Sequence, residues 1–407
     1  MATSSLIFIA RKELPNNGHK VSITNFHQYK EEQADDFEKY LKSRNKKSFL
    51  ILQADLLNNV ENWSFIQQDS SVLDMIKTYN INTESMSLYA EHKIAQKIFR
   101  NNFWFDVGFI LDDKYKTQNT KDTYPILDFK SSLGYSIFKF SSYYPKNTKK
   151  IELTKNSQGY EGLGHKYNIV WRVKNMQYFH FTEAPIIFNM GQAGFIASDN
   201  KPEMLYLFSL LNSSVNMMLL KSKLKNENEK EFLVAIKSIK QYIRVPKITQ
   251  ENVAIKTEII RQTEAMLNLE KANLRDIVDF PKISMQIFDN IRVVGNTLVL
   301  CYGNKSYTAK IKGNKIKVVE DLINTEYYPN DSLLPKKDII LEDLRFLPAI
   351  DFEEQEKIKN YIDDLVFALY FNVKLPALDI NNANAIKKVC AKNEFYTIVK
   401  SGFLTKE

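Results

Sequence analysis

Residues Pro202 to Lys247 read PEMLYLFSLLNSSVNMMLLKSKLKNENEKEFLVAIKSIKQYIRVPK, an apolar run that passes through a polar loop into a short basic strand. Between Leu205 and Leu220 the apolar positions Leu205, Leu207, Phe208, Leu210, Leu211, Val215, Met218 and Leu219 cover most of a helix surface. A helix apolar on nearly all sides belongs inside a core, so this segment is expected to be the buried axis of the fold. Asn212, Ser213 and Ser214 interrupt it, and once enclosed they require hydrogen-bond partners.

Composition sets the limits around that axis. A chain of 407 residues is long for one core, and 44% hydrophobic with 12% aromatic residues is the make-up of a folded protein. The mean hydropathy is −0.34, and the longest apolar run carries Asn212 and Asn216, too short and too polar for a bilayer span. No basic, apolar and small-residue sequence of a secretion signal opens the chain. Cys301 and Cys390 form no CxxC pair, which leaves no disulfide framework or zinc motif and fits a reducing cytoplasm.

Charge is unevenly spread. The chain carries a net +8, and Lys139 to Lys174 holds eight cations against two acids, whereas Glu320 to Glu407 holds 11 cations against 16 acids. Tyr143, Tyr144, Tyr160, Tyr167 and Trp171 are interleaved with the central cations. Lysines that displace counterions from phosphates, with flat side chains that stack or line a groove, are what a polyanion surface needs. Lys146, Lys149, Lys150, Lys155 and Lys166 are therefore the expected phosphate contacts. Arg172, Lys174, Asn175, Gln177 and Gln192 are the expected readers of base edges, because Arg pairs with guanine O6 and N7, and Asn or Gln with adenine N6 and N7. The plain alternative is a solvated lysine-rich loop that keeps the protein soluble.

The remaining pattern predicts a succession of short elements. Thr3 to Arg11 reads as a strand paired with Val21 to Phe26 across the Asn16-Asn17-Gly18 turn, and Glu31 to Arg44, Ser70 to Tyr79 and Glu84 to Phe99 read as helices. Strand signals follow at Asn101 to Gly108, Tyr124 to Phe129, Tyr135 to Phe140, Tyr167 to Val173 and Ala184 to Asn189. Ile248 to Val278 reads as one long helix. Then IRVV, TLVLC, SYTAKI and KIKVV, separated by Gly295-Asn296, Gly303-Asn304 and Gly313-Asn314, read as a four-stranded meander. Leu341 to Phe371 returns to helix, with Ile358, Ile362, Leu365, Val366, Leu369 and Tyr370 on its buried side.

Several of these segments, taken in order, resemble a known family. The Leu211-Asn212-Ser213 run followed by the Ile243 to Pro246 strand resembles the "LLNS … I…IPIP" segment in the target-recognition domains of TaqI-like adenine-N6 DNA methyltransferases, the group that includes type IIG restriction-modification enzymes. MATSSLIFIARK resembles the "T..LIF..K" strand that ends the family's catalytic domain, and Asn62-Trp63-Ser64-Phe65 its "W.f" linker. YPILDFKSSLGY resembles "PLL.G.DI.RY", with Ser132 to Gly134 where the usual arginine stands, and Glu353 to Val373 resembles the closing "I…VD.LVY.LYGL" helix.

The resemblance implies an α+β chain: a mixed short-strand recognition domain with long bracing helices and a C-terminal meander. Its expected parts are a terminal hairpin (1–30) like the end of a methyltransferase catalytic domain, a helical linker (31–100), a DNA target-recognition domain (101–250) and a closing region (251–407). It also implies double-stranded DNA as a partner, together with a methyltransferase catalytic domain or subunit that holds S-adenosyl-methionine. This chain itself contains no Pro-Pro and hence none of the family's [N/D]PP[Y/F] tetrapeptide, and Gly159, Gly162 and Gly164 give the glycine motif in reverse order. No catalytic residue, metal ligand or cofactor is thus expected here, and the sequence looks like the downstream part of such an enzyme, split or cut from it.

Two other classes stay open on the residues. Asp112 or Asp113 with Asp128 and Lys130 has the layout of a Mg-dependent nuclease, two carboxylates for the ion and a lysine for the attacking water. A protein-interaction scaffold with an incidental basic loop is the other. His19, His27, His92, His165 and His180 lack metal-ligand spacing; His165 and His180 are expected to be structural.

Overall fold

The computed structural model describes residues 20–25, 47–52, 70–90, 103–106, 108–127, 129, 134–136, 140, 142–146, 151–153, 163–189, 191–224 and 233–401. The chain divides into two compact units, Met1–Ile81 and Asn82–Glu407, and its class is α+β. In the first unit Lys20–Asn25 pairs antiparallel with Lys47–Leu52. The latter, KSFLIL, is an apolar run with the make-up of a strand. Thr3 to Arg11 and Glu31 to Arg44 lie outside the described residues.

The second unit is organised by a four-stranded antiparallel sheet made of β1 (Trp104–Asp106), β2 (Tyr167–Arg172), β3 (His180–Thr182) and β4 (Ala193–Ser198), in the order β3-β2-β4-β1. Residues paired across antiparallel strands share a face. Val170 and Phe195 are paired and pack against Leu127, Ile186 and Phe188. Ile169 and Ile196 are paired on the opposite face, where the Phe181 ring meets Phe208 edge to face at 5.8 Å.

Phe208 belongs to α1 (Lys201–Leu211), which is followed by α2 (Ser214–Leu224). The expected single helix is thus two, broken at Asn212 and Ser213, and each polar residue at the break has partners. Asn212 accepts from the Phe179 amide at 2.9 Å and donates to the Phe179 and Phe208 carbonyls. The Ser213 hydroxyl donates to the Leu210 carbonyl, and Ser214 donates both its amide and its hydroxyl to the Asp363 carboxylate. Buried Asn216 donates to the Leu210 carbonyl and to the Tyr370 hydroxyl, each at 2.7 Å, and Tyr370 in turn donates to the Arg244 carbonyl.

Arg244–Pro246 then pairs with Thr83–Ser85, which corrects the expected helix from Glu84: the chain is a strand there, and a short helix runs Met86–Ala90. Extended backbone at 83–85 is fixed by its partner, with the Arg244 guanidinium donating to the Thr83 hydroxyl and carbonyl.

The long helix expected over Ile248 to Val278 is α3 (Val253–Leu269), ended by Glu270 and followed by a single turn, Leu274–Ile277. Tyr135 to Phe140 is no strand in its described part either: 134–136 form a bend whose amides at Tyr135 and Ser136 donate to the Glu270 carboxylate at 2.7 and 2.6 Å. Among the described residues Ala184 to Asn189 forms no named strand; isolated bridges pair Ile126 with Ile187 and Phe109 with Asn189.

Beyond lies the meander of β5 (Asn290–Val294), β6 (Thr297–Tyr302) and β7 (Lys305–Ile311), with Val278–Asp279 on its far edge. Val294 pairs with Thr297 across Gly295-Asn296, and Gly295 sits at φ +57, a conformation that costs glycine nothing. KIKVV is not the fourth strand. It opens α4 (Ile316–Tyr327), because Val319, Ile323 and Tyr327, all buried, recur every four residues and pack on the meander core. The closing helix α5 (Phe352–Phe371) buries all six residues expected on its inner side.

Candidate nucleic-acid interface

Strand β2 ends at Arg172, and residues 173–179 loop back into β3 while Gln192 leads into β4 directly alongside. Arg172 is paired with Ala193, and the Val173 amide donates to the Gln192 carbonyl at 3.0 Å. Antiparallel pairing therefore brings Arg172, Lys174, Asn175, Gln177 and Gln192 to one end of the sheet. Four of the five are exposed and Asn175 is half-buried. Asn175 holds φ 52, the left-handed region that asparagine tolerates better than most residues, and so reverses the chain at the loop.

This end is rigidly backed. Trp171 is fully buried, its indole donating to the Val234 carbonyl at 2.7 Å, and the Val234 amide donates to the Val173 carbonyl at 2.8 Å. Gly194, opposite Trp171, leaves room for the ring: a Cβ there would lie 2.5 Å from it.

The expected phosphate contacts are dispersed or undescribed. Lys166 immediately precedes β2 and Arg172 ends it, so six residue rises, roughly 20 Å of extended chain, separate the two. It is exposed, with its ammonium 5.3 Å from the Tyr167 ring centre and its amide donating to Asp199 at 2.9 Å. Lys146 is exposed on a separate two-stranded ribbon, Thr123–Pro125 with Tyr143–Pro145, and its ammonium donates to the Lys121 carbonyl beside Tyr124. Lys149, Lys150 and Lys155 lie outside the described residues.

Two of the expected stacking aromatics are corrected. Trp171 and Tyr144 are both fully buried, Tyr144 in a small core with Phe109, Leu111 and Ile187, so neither can meet a base. Hydrophobic rings in a half-buried strand pack inward when the pleat points them there, whatever the charge of their neighbours. Tyr143 and Tyr167 are half-buried, and Tyr160 lies outside the described residues.

Among the described histidines, His180 and His165 each have partners within the chain; His19, His27 and His92 lie outside the described residues. His180 is buried, 3.2 Å from the Gly134 carbonyl, and burial pushes its pKa down to about 4. His165 stacks on Trp104 at 5.6 Å and contacts Asp199 at 3.0 Å. The Lys166 amide, first, and His165 hold the Asp199 carboxyl below its usual range.

For the nuclease alternative, Asp112 and Asp113 are exposed and ion-paired, with Lys114 at 2.5 Å and Lys116 at 2.8 Å, and Asp128 and Lys130 lie outside the described residues. Among the described residues no group of three or more His, Cys, Asp or Glu could hold a metal, and no helix is long and apolar enough to cross a membrane.

Glu270 is the residue that sequence reasoning missed. It is 1% exposed and accepts from the amides of Tyr135 and Ser136, the Ser136 hydroxyl and the Gln355 amide group at 2.6 Å, tying the 134–136 bend to α3 and α5. A lone acid in a helical run gives no sign of such burial.

No family model matches the chain, and no curated protein matches it. Among solved structures it is similar to the type IIG restriction endonuclease BpuSI, at 12% identity and a TM-score of 0.32 over 80% of this chain and 36% of that one. It is also similar to a Type-I restriction-modification system S subunit from M. genitalium, at 12% identity and a TM-score of 0.26 over 74% of this chain and 91% of that one. The chain thus spans about a third of the type IIG enzyme, and components of restriction-modification systems are among the structures it distantly resembles.

Proposed function

We propose that this chain recognises DNA targets for an adenine-N6 DNA methyltransferase of a restriction-modification system. Methyl transfer itself belongs to a separate catalytic domain or subunit that holds S-adenosyl-methionine, since the chain has no Pro-Pro and so no [N/D]PP[Y/F] motif to seat a flipped adenine. The observation that carries the reading is the convergence of Arg172, Lys174, Asn175, Gln177 and Gln192 at one backed end of the sheet. A guanidinium and three amide side chains on one rim are the donors and acceptors that major-groove edges require. The ordered series of family-like segments, from the N-terminal strand to the closing helix, supports the same assignment.

The test is selection of bound duplexes from a random-sequence library, followed by titration of the enriched duplex at two salt concentrations. Enrichment of a defined sequence, with affinity that falls steeply as salt rises, is the expected result. No enrichment, or affinity indifferent to salt, contradicts the reading.

A further inference from the structure

The polar end of the sheet has a neighbour that the charge pattern along the chain did not reveal. Lys237 and Lys240 lie far outside the cationic window of residues 139–174, on the short helix Ile236–Tyr242. Their helix is fastened to the exit of β2: Leu233 bridges Lys174, the Val234 amide donates to the Val173 carbonyl at 2.8 Å, and the Val234 carbonyl accepts from the buried Trp171 indole at 2.7 Å. Ile239, fully buried, seats the same helix from below. The helix therefore moves with Arg172 as one piece.

Lys237 and Lys240 are both exposed, three residues apart, and so project from neighbouring positions of one helix face. The Lys240 ammonium stands 4.6 Å from the centre of the Phe105 ring, on edge strand β1. A cation held over a ring gives up less side-chain freedom when it meets an anion than a free lysine does.

Among the described residues, charge at this end is one-sided. The segments 172–177, 191–192 and 233–241 carry Arg172, Lys174, Lys237 and Lys240 and no Asp or Glu, while the adjoining edge strand brings one acid, Asp106, opposite Phe195. Gly191 opens onto free space, with nothing within 4 Å of a Cβ built there. Four cations mixed with exposed Gln177, Gln192 and Gln241 suit a polyanion that also offers hydrogen-bonding edges, and a lipid surface would use only the charges.

We propose that Lys237 and Lys240 are phosphate-binding residues that hold a DNA backbone beside the rim formed by Arg172 and Gln192. The inference rests on the DNA-recognition reading above and adds to it a division of labour: the helix lysines set affinity for any duplex, and the loop residues set sequence preference. Neither lysine touches a base, so neither alters discrimination.

The experiment compares the chain with Lys237→Gln/Lys240→Gln and with a charge-matched control, Lys387→Gln/Lys388→Gln, exposed on the helix Ala383–Cys390 and outside the segments that form this rim. Each protein is titrated with the library-enriched duplex and a scrambled duplex across a salt series, and thermal unfolding checks that each variant is folded. Two lost phosphate contacts should flatten the slope of log affinity against log salt by about 1.8, weaken both duplexes by the same factor and leave their ratio unchanged. A salt slope equal to that of the wild type or the control overturns the proposal while leaving DNA recognition intact. A changed ratio between the two duplexes also overturns it, because the lysines would then read sequence. If the wild type binds neither duplex, both this inference and the DNA-recognition reading fall.

Discussion

Trp171 and Gly194 face each other across β2 and β4, and the indole occupies the space into which any side chain at 194 would grow. Gly194→Ala places a methyl 2.5 Å from the fully buried ring, whose indole N–H is bound to the Val234 carbonyl, so the ring cannot retreat without breaking that bond. Overpacking of this kind costs about 1–3 kcal/mol. The expected result is a lower urea midpoint with an unchanged slope, together with weaker DNA binding. Unaltered stability would show that the ring shifts freely.

Removal of the Glu270 charge should loosen the junction between the 134–136 bend and the helices. Its carboxylate accepts four hydrogen bonds, two of them from backbone amides at Tyr135 and Ser136. Glu270→Gln turns one acceptor oxygen into a donor that faces donors, a loss on the order of 2–4 kcal/mol. Chemical denaturation measures it, and Glu270→Asp, which keeps the charge but shortens the reach, should recover part of the loss.

Acid should destabilise the fold through His180. Its pKa is about 4 in the folded chain against about 6.5 unfolded, so the unfolded state takes up the proton first and stability declines as pH falls from about 6.5 toward 4. Between pH 6.5 and 5 this amounts to roughly 1.6 kcal/mol. His180→Gln should flatten the stability profile over that interval; an unchanged profile would mean that other groups set the acid response.

Sequence preference should follow Arg172 rather than Lys166. Arg172→Ala should cost about 1–3 kcal/mol on the enriched duplex and little on a scrambled one. Lys166→Ala, at the other end of β2, should weaken both alike or neither. Equal losses from Arg172→Ala on the two duplexes would count against base reading by this residue.

The need for partners at Asn212, Ser213 and Ser214 was legible from their position in an apolar run, and each has them. So were the meander turns at Gly295 and Gly303, where an allowed positive φ is a local property, and the buried side of α5, set by helical period alone. What escaped was set by distant partners. KIKVV is apolar enough for a strand, and only the continuing four-residue recurrence through Tyr327 marks it as helix. The burial of Trp171 depends on Val234, 63 residues away, and the place of Lys237 and Lys240 depends on the same bond.

Lys166 and Arg172 lie at opposite ends of β2, six residue rises or roughly 20 Å apart, which is about the length of six base pairs; if Lys166 meets a phosphate of the duplex that Arg172 reads, that strand sets a lower bound on the footprint.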